Sequence, residues 1–300
     1  MRVSGIRSLW ALCALGALPL ACAANEGSVD RKVNADARGE VQISNVSGTV
    51  DVRGWDRNEV QVNAELEEGA QRLEFKTSGA RTSIEVVLPK GRTFEGSSDL
   101  VVHVPRNSSL VTQTISADQT IKEVRGSQRL QSVSGQIQTE AWNEDVQVKN
   151  ISGEVNVRGH NGKGTIRLNT VSGDVRLEDV GPELDLTSVT GDMQVRVAEL
   201  SSARIKTTNG DLELRAASLT REVRVEAEGI NGNLRFRFRG AIDAEFDIQT
   251  FNGEIDNCFG PKPHRVSEYA PGNALRFKQG NGEGRIRIKA LNGTVEICNR

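Results

Sequence analysis

The sequence predicts an all-β protein: a single-stranded parallel β-solenoid (a β-helix) entered through a less regular β segment. Three observations predict it. A five-residue unit recurs nine times, reading apolar residue, Ser/Thr/Asn, Gly, polar residue, aliphatic residue. Runs of alternating apolar and polar residues flank each unit, the signature of a strand with one face buried. No convincing amphipathic helix interrupts them downstream of the first two dozen residues.

Composition agrees. The chain has 300 residues, 30 of them Gly, with 37% hydrophobic and only 4% aromatic residues. Such usage fits many short strands joined by turns. A formal net charge of −2 lacks the basic excess that phosphate neutralisation requires, so a nucleic-acid partner is not expected.

The N-terminus reads as an export signal. Arg2 and Arg7 precede an uncharged apolar run from Leu9 to Ala21, too short to span a bilayer comfortably. Ala21-Cys22-Ala23 fits an A-x-A cleavage site, which places a signal peptide at residues 1–23 and the mature start at Ala24. Pro19-Leu20-Ala21-Cys22 also resembles a lipobox with Pro in place of an aliphatic residue, which makes Cys22 a candidate lipid anchor. Both readings place the protein in the periplasm or outside the cell, and no later segment is long and apolar enough to cross a bilayer.

Residues 24–110 form the less regular entry. Gly54-Trp55-Asp56-Arg57-Asn58-Glu59-Val60-Gln61-Val62 reads as a turn and then a strand, and Leu100-Val101-Val102-His103-Val104-Pro105 as a strand ended by Pro. An open solenoid end exposes strand edges, so this segment is expected to cap it.

Residues 111–300 carry the regular repeat. Its glycines, from Gly135 through Gly153, Gly173, Gly191, Gly210 and Gly232 to Gly253, advance by 18, 20, 18, 19, 22 and 21 residues. The last step, to Gly293, is 40 and contains a Pro/Gly-rich excursion over residues 259–284. A period of about twenty residues at ~3.3 Å each gives a perimeter of ~66 Å, suited to a solenoid rung of two or three faces. A propeller would need four strands per blade and usually shows aromatic or W-D signatures, absent here. Asn precedes the glycine at Asn209, Asn231, Asn252 and Asn292, as in amide ladders between in-register strands.

Cys258 and Cys298 each lie five residues after a repeat glycine. Equivalent positions on adjacent rungs stack at ~4.8 Å, within reach of a disulfide, and an exported chain permits one. Their spacing suits neither a metal site nor a redox motif.

At this point a resemblance becomes specific. Ser47-Gly48-Thr49-Val50 with Gly54-Trp55-Asp56, the later Val102-His103-Val104-Pro105 and the S-G/N-G ladder resemble the bacterial family of candidate adhesins. These are exported β-strand-repeat proteins classed as a domain of unknown function. The match spans about residues 36–298. The resemblance implies a right-handed solenoid and brings no catalytic residues. Arg300 follows Cys298 so closely that neither a translocating barrel nor a wall-sorting tail is expected.

Candidate chemistry is sparse. Glu154, Asp174, Asp192, Asp211 and Glu254 follow repeat glycines and would stack as an acidic column. That column is either a cation or general acid/base site of a polysaccharide lyase or glycosidase, or a turn position accepting backbone N–H groups. No second converging carboxylate favours the first. Arg235, Arg237 and Arg239 alternate with Phe236 and Phe238, and Arg285, Arg287 and Lys289 with Ile286 and Ile288. With the apolar residues inward, two basic stripes face solvent, available to anionic glycans or lipid head groups. His103, His160 and His264 lie far apart and have no metal partner at useful spacing. Gly280-Asn281-Gly282-Glu283-Gly284 lacks the Lys of a phosphate loop. The sequence therefore points to an exported, cofactor-free, non-catalytic module that binds or scaffolds in the cell envelope. A carbohydrate-cleaving β-helix and an envelope-stress sensor that binds another protein are the alternatives.

Overall fold

The computed structural model describes residues 27–66, 72–88, 97–267 and 271–299. The expected signal peptide, residues 1–23 with Cys22, lies outside the described residues. Among the described residues every regular element is a strand, and no helix is long and apolar enough to cross a membrane.

Each repeat is a rung of two strands joined at the Ser/Asn-Gly corner. Val146–Ser152 leads into Gly153 and Val155–Gly159 leaves it; Ile166–Ser172 and Val175–Val180 do the same around Gly173. The incoming strands pair in parallel with one another, as do the outgoing strands, so the stack presents two parallel strips enclosing one core. Glu40–Trp55 already bends at Gly48 into such a rung, and the next in the stack is Ser109–Lys122.

Alternation drives the sheets together. In Val146–Ser152, Val148 and Asn150 point inward while Gln147 and Lys149 point out. The inner faces stack Val, Ile and Leu into one continuous core, with Phe236, Phe238 and Phe246 as its largest fully buried side chains. Phe277 stacks on Phe246 at 4.6 Å between centroids.

Most corners need glycine for two reasons at once, the Ala117 corner being an exception. Gly173 has φ +125°, a region that a side chain rarely enters, and a Cβ there would lie 2.2 Å from the Gly153 carbonyl oxygen. In two rungs the carbonyl on the inside of the corner is met by the buried polar residue three positions before the glycine. Asn150 donates to the Gly153 carbonyl at 2.9 Å, and Thr250 to that of Gly253 at 2.9 Å.

The rungs are not stacked in sequence order at either end. The Gly293 rung, Gly284–Asn292 with Val295–Cys298, inserts between the Gly232 and Gly253 rungs. Ala244–Asn252 is thereby pushed outward, and Asn273–Gln279 from the excursion runs antiparallel along its far side. At the other end the Gly48 rung is flanked by Ser109–Lys122 on one side and by Arg81–Val87 with Ser98–Pro105 on the other. Arg72–Ser78 and Glu59–Leu66 run antiparallel along those two strands, and Ser28–Asn34 along Glu59–Leu66.

Candidate functional site

The expected basic stripes separate onto opposite faces. Leu234–Phe238 belongs to the outgoing strip and Gly284–Asn292 to the incoming one. On the outgoing strip the arginines are neutralised by their neighbours. Arg235 lies 3.1 Å from Asp211 and 3.8 Å from Glu296; Arg237 lies 3.4 Å from Glu213 and 3.2 Å from Glu296. Arg239 is exposed just beyond that strand.

The incoming strip differs. Register places Arg224 beside Arg285, and Glu226 beside Arg287. Ser202 lies next to Arg224, and Arg204 next to Glu226. Together they line a concavity of about 520 Å³, closed by Gly282 and Glu283. Four guanidinium groups (Arg204, Arg224, Arg285 and Arg287) and three carboxylates (Glu226, Glu245 and Glu283) line it. Most of these charges are paired: Arg204 with Glu226 at 3.8 Å, Arg287 with Asp247 at 4.0 Å, and Glu283 with Arg221. Neither Arg224 nor Arg285 has a carboxylate oxygen within 4 Å among the described residues. Two like charges one strand apart repel, and an anion seated between them removes the repulsion. Lys289, further along the same strand, is exposed opposite Glu228. Arg224 was not legible as a partner of Arg285, because the two join through a register across non-consecutive rungs.

Four of the acidic residues stack on consecutive rungs, Asn233 and Thr294 stand between them and Glu254, and the carboxylates of Asp174, Asp192 and Asp211 are engaged by backbone. The side chain of Asp174 accepts the Asp192 N–H at 3.0 Å, Asp192 that of Asp211 at 2.8 Å, and Asp211 that of Asn233 at 2.8 Å. Glu154 pairs with Arg176 at 3.0 Å. Glu254, on the outermost rung, closes the series with its backbone carbonyl accepting from Val295. Burial opposes ionisation of Asp211, but hydrogen bonds from Asn233 and the Arg235 charge outweigh it and hold the carboxyl below its ordinary value. This is the geometry of a structural turn acceptor. The amide ladder forms too: Asn231 donates to Asn209 at 2.8 Å, Asn292 to Asn231 at 2.8 Å, and Asn252 to Asn292 at 3.2 Å.

Cys258 and Cys298 are disulfide-bonded with a Cα separation of 4.9 Å, joining the Gly253 and Gly293 rungs. With Glu296 they make the one grouping of potential metal ligands among the described residues, and the bridge commits both sulfurs. The histidines stay apart. His103 stacks on Trp55 at 5.0 Å and His160 on Trp142 at 3.8 Å, while His264 sits in a short exposed strand.

The apolar residue two places before most corners (a glycine in most rungs, Ala117 in the Ser109–Lys122 rung) escaped the sequence reading of inward and outward faces. It lies on the outside: Ile115, Ile151 and Phe251 are each 50% exposed. Parity gives the signal, since Val146, Val148 and Asn150 share the inward face and Ile151 is out of phase with them.

Two strips of in-register parallel strands around a single core, with corner glycines in a column, define a repetitive all-β protein of solenoid type. The chain belongs to the Toastrack DUF4097 family, whose model matches residues 29–298. Among solved structures it is similar to a candidate adhesin from Bacteroides fragilis, at 10% identity and TM-score 0.36, covering 91% of this chain and 98% of that one. Another candidate adhesin, from Parabacteroides distasonis, shares 9% identity with TM-score 0.40, covering 90% and 96%. A candidate lipid-binding protein from the same species shares 11% identity with TM-score 0.38, covering 91% and 97%. No functionally curated protein matches the chain.

Proposed function

We propose that the protein is an exported, non-catalytic envelope module that binds an anionic glycan or lipid head group in the Arg224/Arg285 concavity. The observation that carries this reading is the adjacency of those two guanidinium groups, unpaired in a surface where most neighbouring charges are paired. In this reading residues 1–23 direct export and the solenoid is right-handed. The antiparallel strands at both ends act as caps, and the protein sits in the periplasm or outside the cell, with or without a lipid on Cys22. The acidic column supports a frame rather than a carbohydrate-cleaving site, because the carboxylates of Asp174, Asp192 and Asp211 are spent on backbone N–H groups of the next rung and that of Glu154 on Arg176.

The test is co-sedimentation of the purified protein with isolated cell envelopes at low and high salt. The reading expects retention that salt abolishes, lost in Arg224→Ser/Arg285→Ser and kept in Arg235→Ser/Arg237→Ser. No retention at either salt, or retention indifferent to the Arg224/Arg285 pair, overturns it.

A further inference from the structure

Nine large apolar side chains are about half exposed or more among the described residues, and eight of them fall on a single line. The line runs along the corner of the stack, from Ile115 through Ile151 and Val171 to Leu291 and, on the outermost rung, Phe251. Exposed apolar residues on a monomer are ordinarily scattered. The fold does not require them here, since Thr208 occupies the same place in the Gly210 rung.

We propose that this ridge is an interface at which two copies of the chain pair side by side, with their stacking axes parallel. Area is the first argument. Half-exposed side chains of this size offer about 50 Å² each, so eight give about 400 Å² of apolar surface. That is close to the apolar share of the ~800 Å² each partner contributes to a standard interface. Period is the second argument. The ridge advances by ~4.8 Å per rung over eight steps, about 38 Å, and a second copy matches that repeat along its whole length by construction.

Charge fixes the orientation. One flank of the ridge carries Glu154, Asp174, Asp192 and Asp211, directly after the corner glycines; four residues before them the other carries Lys149, Lys206 and Lys289, with Glu228 between the last two and 3.2 Å from Lys206. A two-fold axis parallel to the stack sets each acidic flank against the partner's lysine flank, so that Glu154 meets Lys149, which has no intrachain ion pair among the described residues, at the same height. An axis across the stack would set acidic row against acidic row. The same acidic row disfavours an anionic lipid surface as the occupant.

Sedimentation equilibrium of the purified protein tests this, beside vesicles of phosphatidylethanolamine and phosphatidylglycerol. The proposal expects a dimer whose dissociation constant rises at least about tenfold in Ile151→Ser/Val171→Ser. Both positions are exposed, so folding is retained and circular dichroism verifies it. Lys149→Glu and Glu154→Lys should each weaken the dimer, and the double variant should restore it. A wild-type protein monomeric up to about 1 mM overturns the proposal, as does a dimer indifferent to the ridge substitutions. Failure of the double variant to rescue overturns the parallel orientation. A monomer captured by the vesicles through the same residues assigns the ridge to lipid instead. Envelope retention through Arg224 and Arg285 reads a different face, so the two proposals fail independently.

Discussion

The side-chain amide of Asn292 donates to the side-chain oxygen of Asn231 at 2.8 Å, although 61 residues separate them. Asn252 donates to Asn292 from the opposite side at 3.2 Å. The last rung in sequence is thus the second-last in space. The excursion of residues 259–284 makes this possible: the chain completes the outermost rung, covers its edge with Asn273–Gln279, and returns to fill the place beneath. The disulfide then ties the inserted rung to the outer one.

Asn292→Ala should destabilise the protein by about 1–2 kcal/mol, because it removes one donated and one accepted amide bond. Asn209→Ala, at the end of the ladder with one such bond, should cost about half as much. Urea unfolding of the two variants checks the order; equal losses would show that the ladder does not act through paired amides.

Gly173→Ala should cost more than about 3 kcal/mol, since strain at φ +125° adds to a Cβ 2.2 Å from the Gly153 carbonyl. Gly79→Ala is the control: its φ is +59° with nothing within 4 Å, so only the backbone term of about 1 kcal/mol remains. Thermal melts of both variants measure the difference.

Reduction of the Cys258–Cys298 bridge should lower stability by about 4 kcal/mol on the chain-entropy model for a loop of forty residues. The loss should concentrate at the Gly253 rung, whose neighbour it anchors. Hydrogen exchange with and without reductant measures it; unchanged protection of Ala244–Asn252 would contradict the assignment. The oxidised protein should show no free thiol at either position.

Stability should fall in acid with a defined sign. The hydrogen bond from Arg167 holds the Asp145 carboxyl below its ordinary value. Asp247 is also held low: burial opposes, but the Arg276 and Gln249 hydrogen bonds prevail. A carboxyl depressed in the folded state stabilises fully above its unfolded pKa, near 3.9, and loses that contribution as pH falls through the folded value. The melting temperature should therefore hold above about pH 5 and drop below about pH 4. Asp145→Asn should flatten the drop, as measured by melts across that range.

Asp192→Asn should leave stability within about 0.5 kcal/mol, because the amide oxygen still accepts the Asp211 N–H; Asp192→Ala should lose about 1 kcal/mol. Neither should alter any reducing-end release from glycans. A cleavage activity abolished in Asp192→Asn would restore the enzymatic reading.

The repeat glycines, the flanking alternation and the Cys258/Cys298 spacing made the rung legible, because they are local requirements. A left-handed corner under a neighbour's carbonyl admits only glycine, and a half-buried strand must alternate. The Asn ladder was legible for the same reason. The outward ridge was written in the parity of Ile151 against Val148 and Asn150, yet an apolar residue beside a buried run reads as core until the corner is built. The concavity was half legible: Arg285 and Arg287 were candidates, whereas Arg204 and Arg224 gain their meaning only as neighbours.

The sequence by itself determined the rung: two strands, a glycine corner, an apolar inner face and a cross-link between equivalent positions. Tertiary structure decided the order of the rungs, and with it which charges meet. Parallel strands of equal period pair almost equally well with any neighbour of the same register, so local pattern carries no information about which rung lies next. The Gly293 rung sits inside the Gly253 rung because the excursion returns underneath. That single choice sets Arg285 beside Arg224, and Glu296 between Arg235 and Arg237.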